Sequence, residues 1–236
     1  MPNQPSRVFL IPSVLSEGAL DTIPASVLKA VQQCTIFFTE NERTARRFLK
    51  SIWKEMIIDD YLWYTIHKAE PQVKKQFITH LREGKTIGII SEAGCPGIAD
   101  PGQLLVEAAH AEGAVVSPIV GPSALLLALM ASGLNGQQFQ FTGYLPIDNG
   151  ERIKTIRNLE IESARKQCTQ IFIETPYRNN QLMESLLKTC RPDTLICIAS
   201  NLTAADEFVQ TKMVANWQKQ VPDLHKKPVV FLMLAG

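Results

Sequence analysis

The sequence predicts an α/β protein of two domains, a first with a mainly parallel sheet and a second with a mixed sheet. Three observations carry that reading. Through about residue 120, short apolar or β-branched runs alternate with stretches of helical spacing, the order of a parallel sheet covered by helices. At Gly121-Pro122 the pattern restarts. Late in the chain, the strand-like runs 208–212 and 229–234 have no long helical stretch between them, which implies mixed strand directions. Domains of 1–120 and 121–236 follow, and 236 residues supply ample core for both.

Taken in order, VFLI at 8–11 is a strand. Ile23, Val27, Ala30 and Val31 mark a helix over 22–33. TIFF at 35–38 is a strand, followed by a basic helix over 42–50 and a short strand over 56–58. Pro71 opens a helix over 71–83 that Gly84 stops. The run 86–90 is a continuous apolar strand, 103–112 a helix ended by Gly113, and 114–120 a strand. The second half begins with an apolar helix over 123–131, its start set by Pro122 or Ser123 and its end by Gly133. A strand over 139–144, a charged helix over 151–166, a strand over 170–173 and a helix over 180–188 come next. Strands over 195–199, 208–212 and 229–234 complete the chain.

Composition narrows the function classes. Apolar residues make up 45% and charged residues 20%, as in an ordinary globular protein. The net charge of +1 excludes a whole-molecule basic field, so contact with nucleic acid needs a local patch. No apolar segment approaches 18 residues and the first 13 residues do not read as a secretory leader. Cys34, Cys95, Cys168, Cys190 and Cys197 form an odd set without CxxC spacing, and the four histidines are dispersed. The expectation is a cytoplasmic protein with reduced thiols and no metal site.

The densest chemistry lies in GIISEAGCPGIADPG, residues 88–102. The strand before it delivers this loop to the carboxyl edge of the sheet, where ligands sit in open α/β folds. Gly94, Gly97 and Gly102 permit positive φ and close approach of a ligand to the backbone. Pro96 and Pro101 stiffen the loop and lower its ordering cost. The spacing is neither GxGxxG nor GxxxxGK[ST], so a dinucleotide or triphosphate site is a poor match. A plain tight βα connection is the competing reading; the length and the density of Gly and Pro favour a site.

SEAGCPGIADPG followed by VGPSALLLALMASGL closely resembles the tetrapyrrole methylase superfamily, and within it the small-subunit rRNA 2′-O-ribose methyltransferase I family. ENERTARRFL at 40–49, TGYLP at 142–146, IETPYR at 173–178 and ASNLT at 199–203 resemble further motifs of that family. The resemblance implies S-adenosylmethionine bound in a cleft between the two domains, usually within a homodimer. It places Gly94, Cys95, Ile98 and Ala99 on the cofactor loop, and Ser123 and Ala124 on a second cofactor motif. Leu202 and Pro228 fall on the adenosine side, and Leu15 in an N-terminal loop whose IPSVLSEG departs from the family's glycine-rich pattern.

A ribose hydroxyl has a high pKa, so a base or charge-stabilising group is expected near it. Glu92, Asp100 and Glu174 are the candidates, each also readable as a loop carboxylate that caps a helix or accepts backbone N–H bonds, Asp100 above all because it stands just before Pro101 and a helix. Arg43, Arg46, Arg47 and Lys50 share one helix face at spacings of three and four, a candidate phosphate-binding patch. Arg178 is a further candidate RNA contact. Arg152, Lys154, Arg157, Arg165 and Lys166, interleaved with Glu151, Glu160 and Glu162, read as a solvated mixed-charge face. Trp53, Trp63 and Tyr64 read as core aromatics or as base-stacking platforms.

Ser200, Asn201 and Ala204 stand where the ribosomal branch has Arg, Glu and Lys, and the sequence ends at Gly236 without that branch's longer basic segment. The implied function is methylation of the 2′-hydroxyl of a small-subunit rRNA cytidine, with rRNA or the small ribosomal subunit as partner. Methylation of a small tetrapyrrole at carbon, and a non-catalytic module that binds S-adenosylmethionine, stand as alternatives.

Overall fold

The computed structural model describes residues 6–66 and 71–236; residues 1–5, part of the stretch read for a leader, lie outside it. The chain divides into two compact units at Ser123/Ala124, later than the expected 120/121. Gly121 and Pro122 stay with the first unit, where their carbonyls accept from the Cys95 thiol at 3.8 and 3.4 Å.

In the first unit the elements run β1 (Arg7–Ile11), α1 (Ala25–Val31), β2 (Ile36–Thr39), α2 (Glu42–Ile52), β3 (Leu62–Thr65), α3 (Pro71–Arg82), β4 (Thr86–Ile90), α4 (Gln103–Ala111) and β5 (Val115–Pro118). The sheet order is β3-β2-β4-β1-β5, and every pairing is parallel. Strand residues alternate between two cores. Val8, Ile36, Phe38, Ile87 and Ile89 meet Phe77 and Leu81 of α3 and Leu105 and Ala108 of α4. Phe9, Ile11, Phe37 and Ile90 meet Val27 and Val31 of α1 and Phe48 and Leu49 of α2. Helices α1 and α2 therefore cover one face, and α3 and α4 the other.

Two expectations in this unit fail. No strand lies at 56–58; Ile58–Asp60 is a 3-10 turn and the third strand is Leu62–Thr65. Asp59 and Asp60 suit a turn, while Trp63 and Tyr64 gain cross-strand stacking on Phe37 and Phe38 at 4.9 and 4.7 Å. Trp63 packs on the core under α1 and α2, and Tyr64 on the core under α3 and α4, one on each face of the sheet. The helix expected over 22–33 is split: Leu20–Thr22 is a 3-10 turn and α1 begins after Pro24, its extended N-cap.

The second unit holds α5 (Ala124–Ser132), β6 (Phe139–Tyr144), α6 (Asn149–Lys166), β7 (Thr169–Ile173), α7 (Asn179–Thr189), β8 (Leu195–Ser200), β9 (Phe208–Met213), α8 (Val214–Trp217) and β10 (Val229–Leu234). Its sheet runs β6-β7-β10-β8-β9, with β6 and β7 parallel and the rest antiparallel. Ile156, Leu182, Leu186 and Trp217 pack with Phe172, Ile198 and Phe231 in one core. Helix α5 packs against β8, β9 and β10; Ala128, Leu129 and Ser132 are buried, while Leu126 and Met130 stay exposed.

The mixed-charge reading of α6 is corrected at two positions. Arg152 is 2% exposed and Glu160 7% exposed. Arg152 donates to Ser185 Oγ, Ile147 O and Asn149 Oδ1, tying down the turn before α6. Glu160 accepts from the Arg191 amide and the Thr194 hydroxyl. Both groups keep their polarity underground because each bond is made to a fixed neighbour.

Gly88 sits mid-strand in β4 because a Cβ there would lie 2.8 Å from Ile11 Cδ1 and Phe37 Cδ1. Gly88→Ala therefore overpacks a closed core and is expected to destabilise the first unit by about 1–3 kcal/mol, read as a lower midpoint in thermal unfolding.

Candidate functional site

Strand β4 lies between β2 and β1. Both neighbours lead into helices on one face, whereas β4 leads into α4 on the other. Adjacent strands whose connections leave in opposite directions open a crevice beyond their carboxyl ends. The segments after β1, β2 and β4 meet there, so topology alone brings residues 12–18, 40–44 and 91–102 together.

Backbone bonds lock two of these segments. Ser13 N donates to Gly94 O at 2.9 Å and Gly94 N to Ser13 O at 3.2 Å. Ser13 Oγ donates to Ser91 O, and Ser91 Oγ to Gly94 O, each at 3.1 Å. Gly94 has φ +73°, and a Cβ on it would lie 3.1 Å from Leu15 Cδ2 and 3.3 Å from Pro122 O. Leu15 thus rests on the glycine loop despite the departure of IPSVLSEG from the family pattern.

The three candidate carboxylates have different surroundings. Asp100 Oδ1 accepts from Gly97 N at 2.9 Å and Gly102 N at 2.7 Å, so this side chain shapes the loop. Burial pushes its carboxyl up, the two amide bonds pull it down, and Glu40 adds a smaller upward push. Glu174 has a side chain only 1% exposed, and its Oε1 accepts from Thr175 N, Arg178 Nε and Arg178 Nη2 at 2.7, 3.0 and 2.6 Å. Glu174 and Arg178 are thereby locked to each other at the carboxyl end of β7. Glu92 is exposed, with its amide donating to Glu40 Oε2 at 2.9 Å and its Oε1 accepting from Asn41 Nδ2 at 3.5 Å.

The basic face of α2 divides similarly. Arg46 pairs with Glu42 at 2.5 Å and lies 5.0 Å over the Trp63 ring. Lys50 caps the helix end through Lys54 O and Met56 O. Arg43 is exposed, and Arg47 meets Glu17 at 3.4 Å with both side chains in solvent. Arg47, Glu92 and Leu15 all line a cavity of about 460 Å³ in the crevice.

In the second unit Leu202 and Pro228 are neighbours: Asn201 N donates to Pro228 O at 3.0 Å, one step beyond the Ser200–Val229 pair of β8 and β10. Asn201 spends its side-chain amide on Asp206 at 2.7 Å. Ser123 closes the first unit and Ala124 opens α5.

Four residues that take part were not foreseen. Ser13, Ser91 and Glu40 act through partners 52 to 81 positions away in most of these bonds, and Thr44 lines the cavity. Glu40, Thr44 and Ser91 lie inside the quoted motifs, but their contacts are visible only once the strands are paired.

The loop fits the cofactor that the resemblance implies. Ile98 is 53% exposed at its tip, an apolar surface suited to an adenosyl group. Gly97, at φ +82°, has nothing within 4 Å of where a Cβ would stand, so its backbone is open to a ligand. Ala99 also holds positive φ, at 61°, a conformation that costs an L-residue and recurs at ligand clamps. In the second unit, Ser200 Oγ is buried without a hydrogen-bond partner beside Asn201. Among the described residues no group of three or more His, Cys, Asp or Glu could hold a metal, and no helix is long and apolar enough to cross a membrane.

The fold and this loop define a class: the chain belongs to the Tetrapyrrole (Corrin/Porphyrin) Methylases, the family that matches residues 17–216. It is 32% identical over 170 residues to a protein named Ribosomal RNA small subunit methyltransferase I in Halalkalibacterium halodurans, covering 72% of this chain and 56% of that one. A protein of the same name in Thermotoga maritima is 30% identical over 209 residues, 87% of this chain and 90% of the relative. Across three such relatives the match spans 54 to 63% of their own length. Among solved structures, the methyltransferase CobJ superposes with TM-score 0.66 at 17% identity, over 98% of this chain and 95% of that one. Uroporphyrin-III-C-methyltransferase from Thermus thermophilus gives 0.56 at 15%, over 98% and 93%. These two likenesses establish the fold.

Gly94→Val forces a β-branched residue into positive φ and against Leu15, so it disrupts the Ser13 bridge as well as crowding the loop. The expected result is loss of S-adenosylhomocysteine binding by calorimetry with a modest fall in melting temperature. Asp100→Ala abandons two amides and is expected to cost about 2 kcal/mol, whereas Asp100→Asn keeps an acceptor oxygen and costs less. Because the folded-state carboxyl sits above its ordinary 3.8, its contribution to stability is full below that value and is lost as pH rises through the raised one. Melting curves across that window are expected to show this loss in the wild type and not in Asp100→Asn.

Proposed function

We propose that the protein is an S-adenosylmethionine-dependent methyltransferase that acts on a ribose 2′-hydroxyl in small-subunit rRNA. The observation that carries this reading is the locked glycine loop with its open tip at 97–99, set beside a cavity that Glu92 and Arg47 line. Relatives around 30% identical, named as ribosomal RNA small subunit methyltransferases, support the acceptor class. Five free cysteines agree with a cytoplasmic setting, and the family resemblance with a homodimer.

S-adenosylmethionine, when bound, supplies a sulfonium methyl group. In the first unit Gly94, Cys95, Ile98 and Ala99 of the loop would hold it, with Ser123; the resemblance assigns Ala124, Leu202 and Pro228 of the second unit to it as well. The loop's contribution is orientation: a fixed backbone holds donor and acceptor in line, which is worth several kcal/mol. Glu92 would accept the ribose hydroxyl proton, since Asp100 and Glu174 are spent on loop amides and on Arg178. Arg43 and Arg47 hold phosphate, because Arg46 and Arg178 spend their charge on Glu42 and Glu174.

A polycarboxylate tetrapyrrole fits the cavity less well. Its lining carries one cation, Arg47, against the carboxylates of Glu17 and Glu92, and such a substrate would be repelled.

The test is methyl transfer from labelled S-adenosylmethionine to small ribosomal subunits purified from a strain lacking this protein, with nucleosides resolved by mass spectrometry. The expected product is one 2′-O-methylnucleoside. Glu92→Gln is expected to lower kcat about 100-fold or more while leaving S-adenosylhomocysteine affinity unchanged. Label in a uroporphyrinogen-type substrate and none in RNA would overturn the reading; binding without any transfer would leave only a cofactor-binding module.

A further inference from the structure

Building on that reading, we propose that the cavity of the first unit receives the acceptor nucleotide, base first, and that Leu15 is the partition between it and the cofactor loop. The cavity is walled by three chain segments: residues after β1, one face of α2, and Ser91 to Ala93 after β4. None of residues 94–99, the stretch assigned to the cofactor, lines it. Leu15 belongs to both places, as do Ser13 and Ser91, which line the cavity and bond to Gly94. Leu15 lines the cavity, and its Cδ2 stands 3.1 Å from where a Cβ on Gly94 would be. Donor loop and cavity are therefore neighbours, with the Leu15 side chain against both, the arrangement a transfer between two bound molecules needs.

The lining matches a nucleotide. Val14, Leu20, Ala45 and Phe48 offer apolar surface to the faces of a planar base, and the Thr44 and Ser51 hydroxyls offer polar groups to its edge. A volume of about 460 Å³ lies within the range of small-ligand pockets, ample for one nucleoside. At the rim Arg47 meets Glu17 at 3.4 Å, with both side chains largely in solvent. Such a pair is worth little and exchanges readily for a phosphate. With one cation on the lining, the cavity suits a single phosphodiester rather than a polyanion. Glu92, at the end of β4, then faces the sugar. Entry of one base requires it to leave its stack, as in other enzymes that modify a nucleotide inside folded nucleic acid.

The experiment has a binding arm and a turnover arm. Isotope-labelled wild type, saturated with S-adenosylhomocysteine, is titrated with cytidine 5′-monophosphate, with adenosine 5′-monophosphate as comparison, and amide shifts are followed by NMR. Thr44→Phe and Ser51→Phe fill the cavity from partly buried and exposed helix positions, so the fold is retained, as circular dichroism will report. Expected are shifts in 13–18, 44–51 and 91–93 that both variants abolish. Transfer to small subunits is expected to fall about 100-fold in both variants, with S-adenosylhomocysteine affinity within about twofold of wild type. Nucleotide shifts elsewhere, undiminished transfer in both variants, or cofactor affinity lost together with transfer overturns the assignment. A wild type that binds the nucleotide in the cavity yet methylates no RNA overturns the function proposed above and leaves the pocket standing.

Discussion

The reciprocal backbone bond between Ser13 and Gly94 is the constraint on which the site rests. Strands β1 and β4 run parallel in register from Arg7↔Thr86 to Ile11↔Ile90, so their outgoing segments leave the sheet side by side. The positive φ of Gly94 turns the second segment back to face the first. Two bonds then fix the N-terminal loop to the glycine loop, with Leu15 and Pro122 packed against Gly94. Each of these segments alone is a surface loop whose ordering costs entropy. Tied together they form a wall on which a ligand finds a prepared backbone.

Electrostatics follow from the same geometry. Glu40, Glu92 and Asp100 converge because β2 and β4 are neighbours with their carboxyl ends together. Like charges so placed would open the crevice if left bare. Backbone amides answer two of them: Glu92 N serves Glu40, and Gly97 and Gly102 serve Asp100. What remains chemically available is the exposed carboxylate of Glu92. Candidates equal by motif are thus separated by which hydrogen bonds they already make.

Much of this was legible in the residues. The apolar run of β4 and the strand Phe139–Tyr144 fell where the pattern put them, because a doubly covered strand and an alternating one leave clear signatures. The mixed second sheet was legible from the lack of a long helical stretch between Phe208–Met213 and Val229–Leu234. The third strand was misplaced because its Trp63 and Tyr64 gain their stability from Phe37 and Phe38, distant partners with no local trace. Arg152 and Glu160 were misread for the same reason, since their hydrogen-bond partners come from the preceding turn, α7 and the turn before β8. In the site, glycine spacing marked the loop, but the sorting of Glu92 from Asp100 and Glu174, and of Arg47 from Arg46 and Arg178, required knowing what each side chain touches.

The central claim is that donor and acceptor occupy separate places on either side of Leu15. A crystal structure of the protein with S-adenosylhomocysteine tests it most directly. The account predicts density against the backbone of 94–99, with the cavity beside Thr44 and Phe48 holding solvent alone. Adenosyl density inside that cavity, or away from the glycine loop altogether, would contradict it.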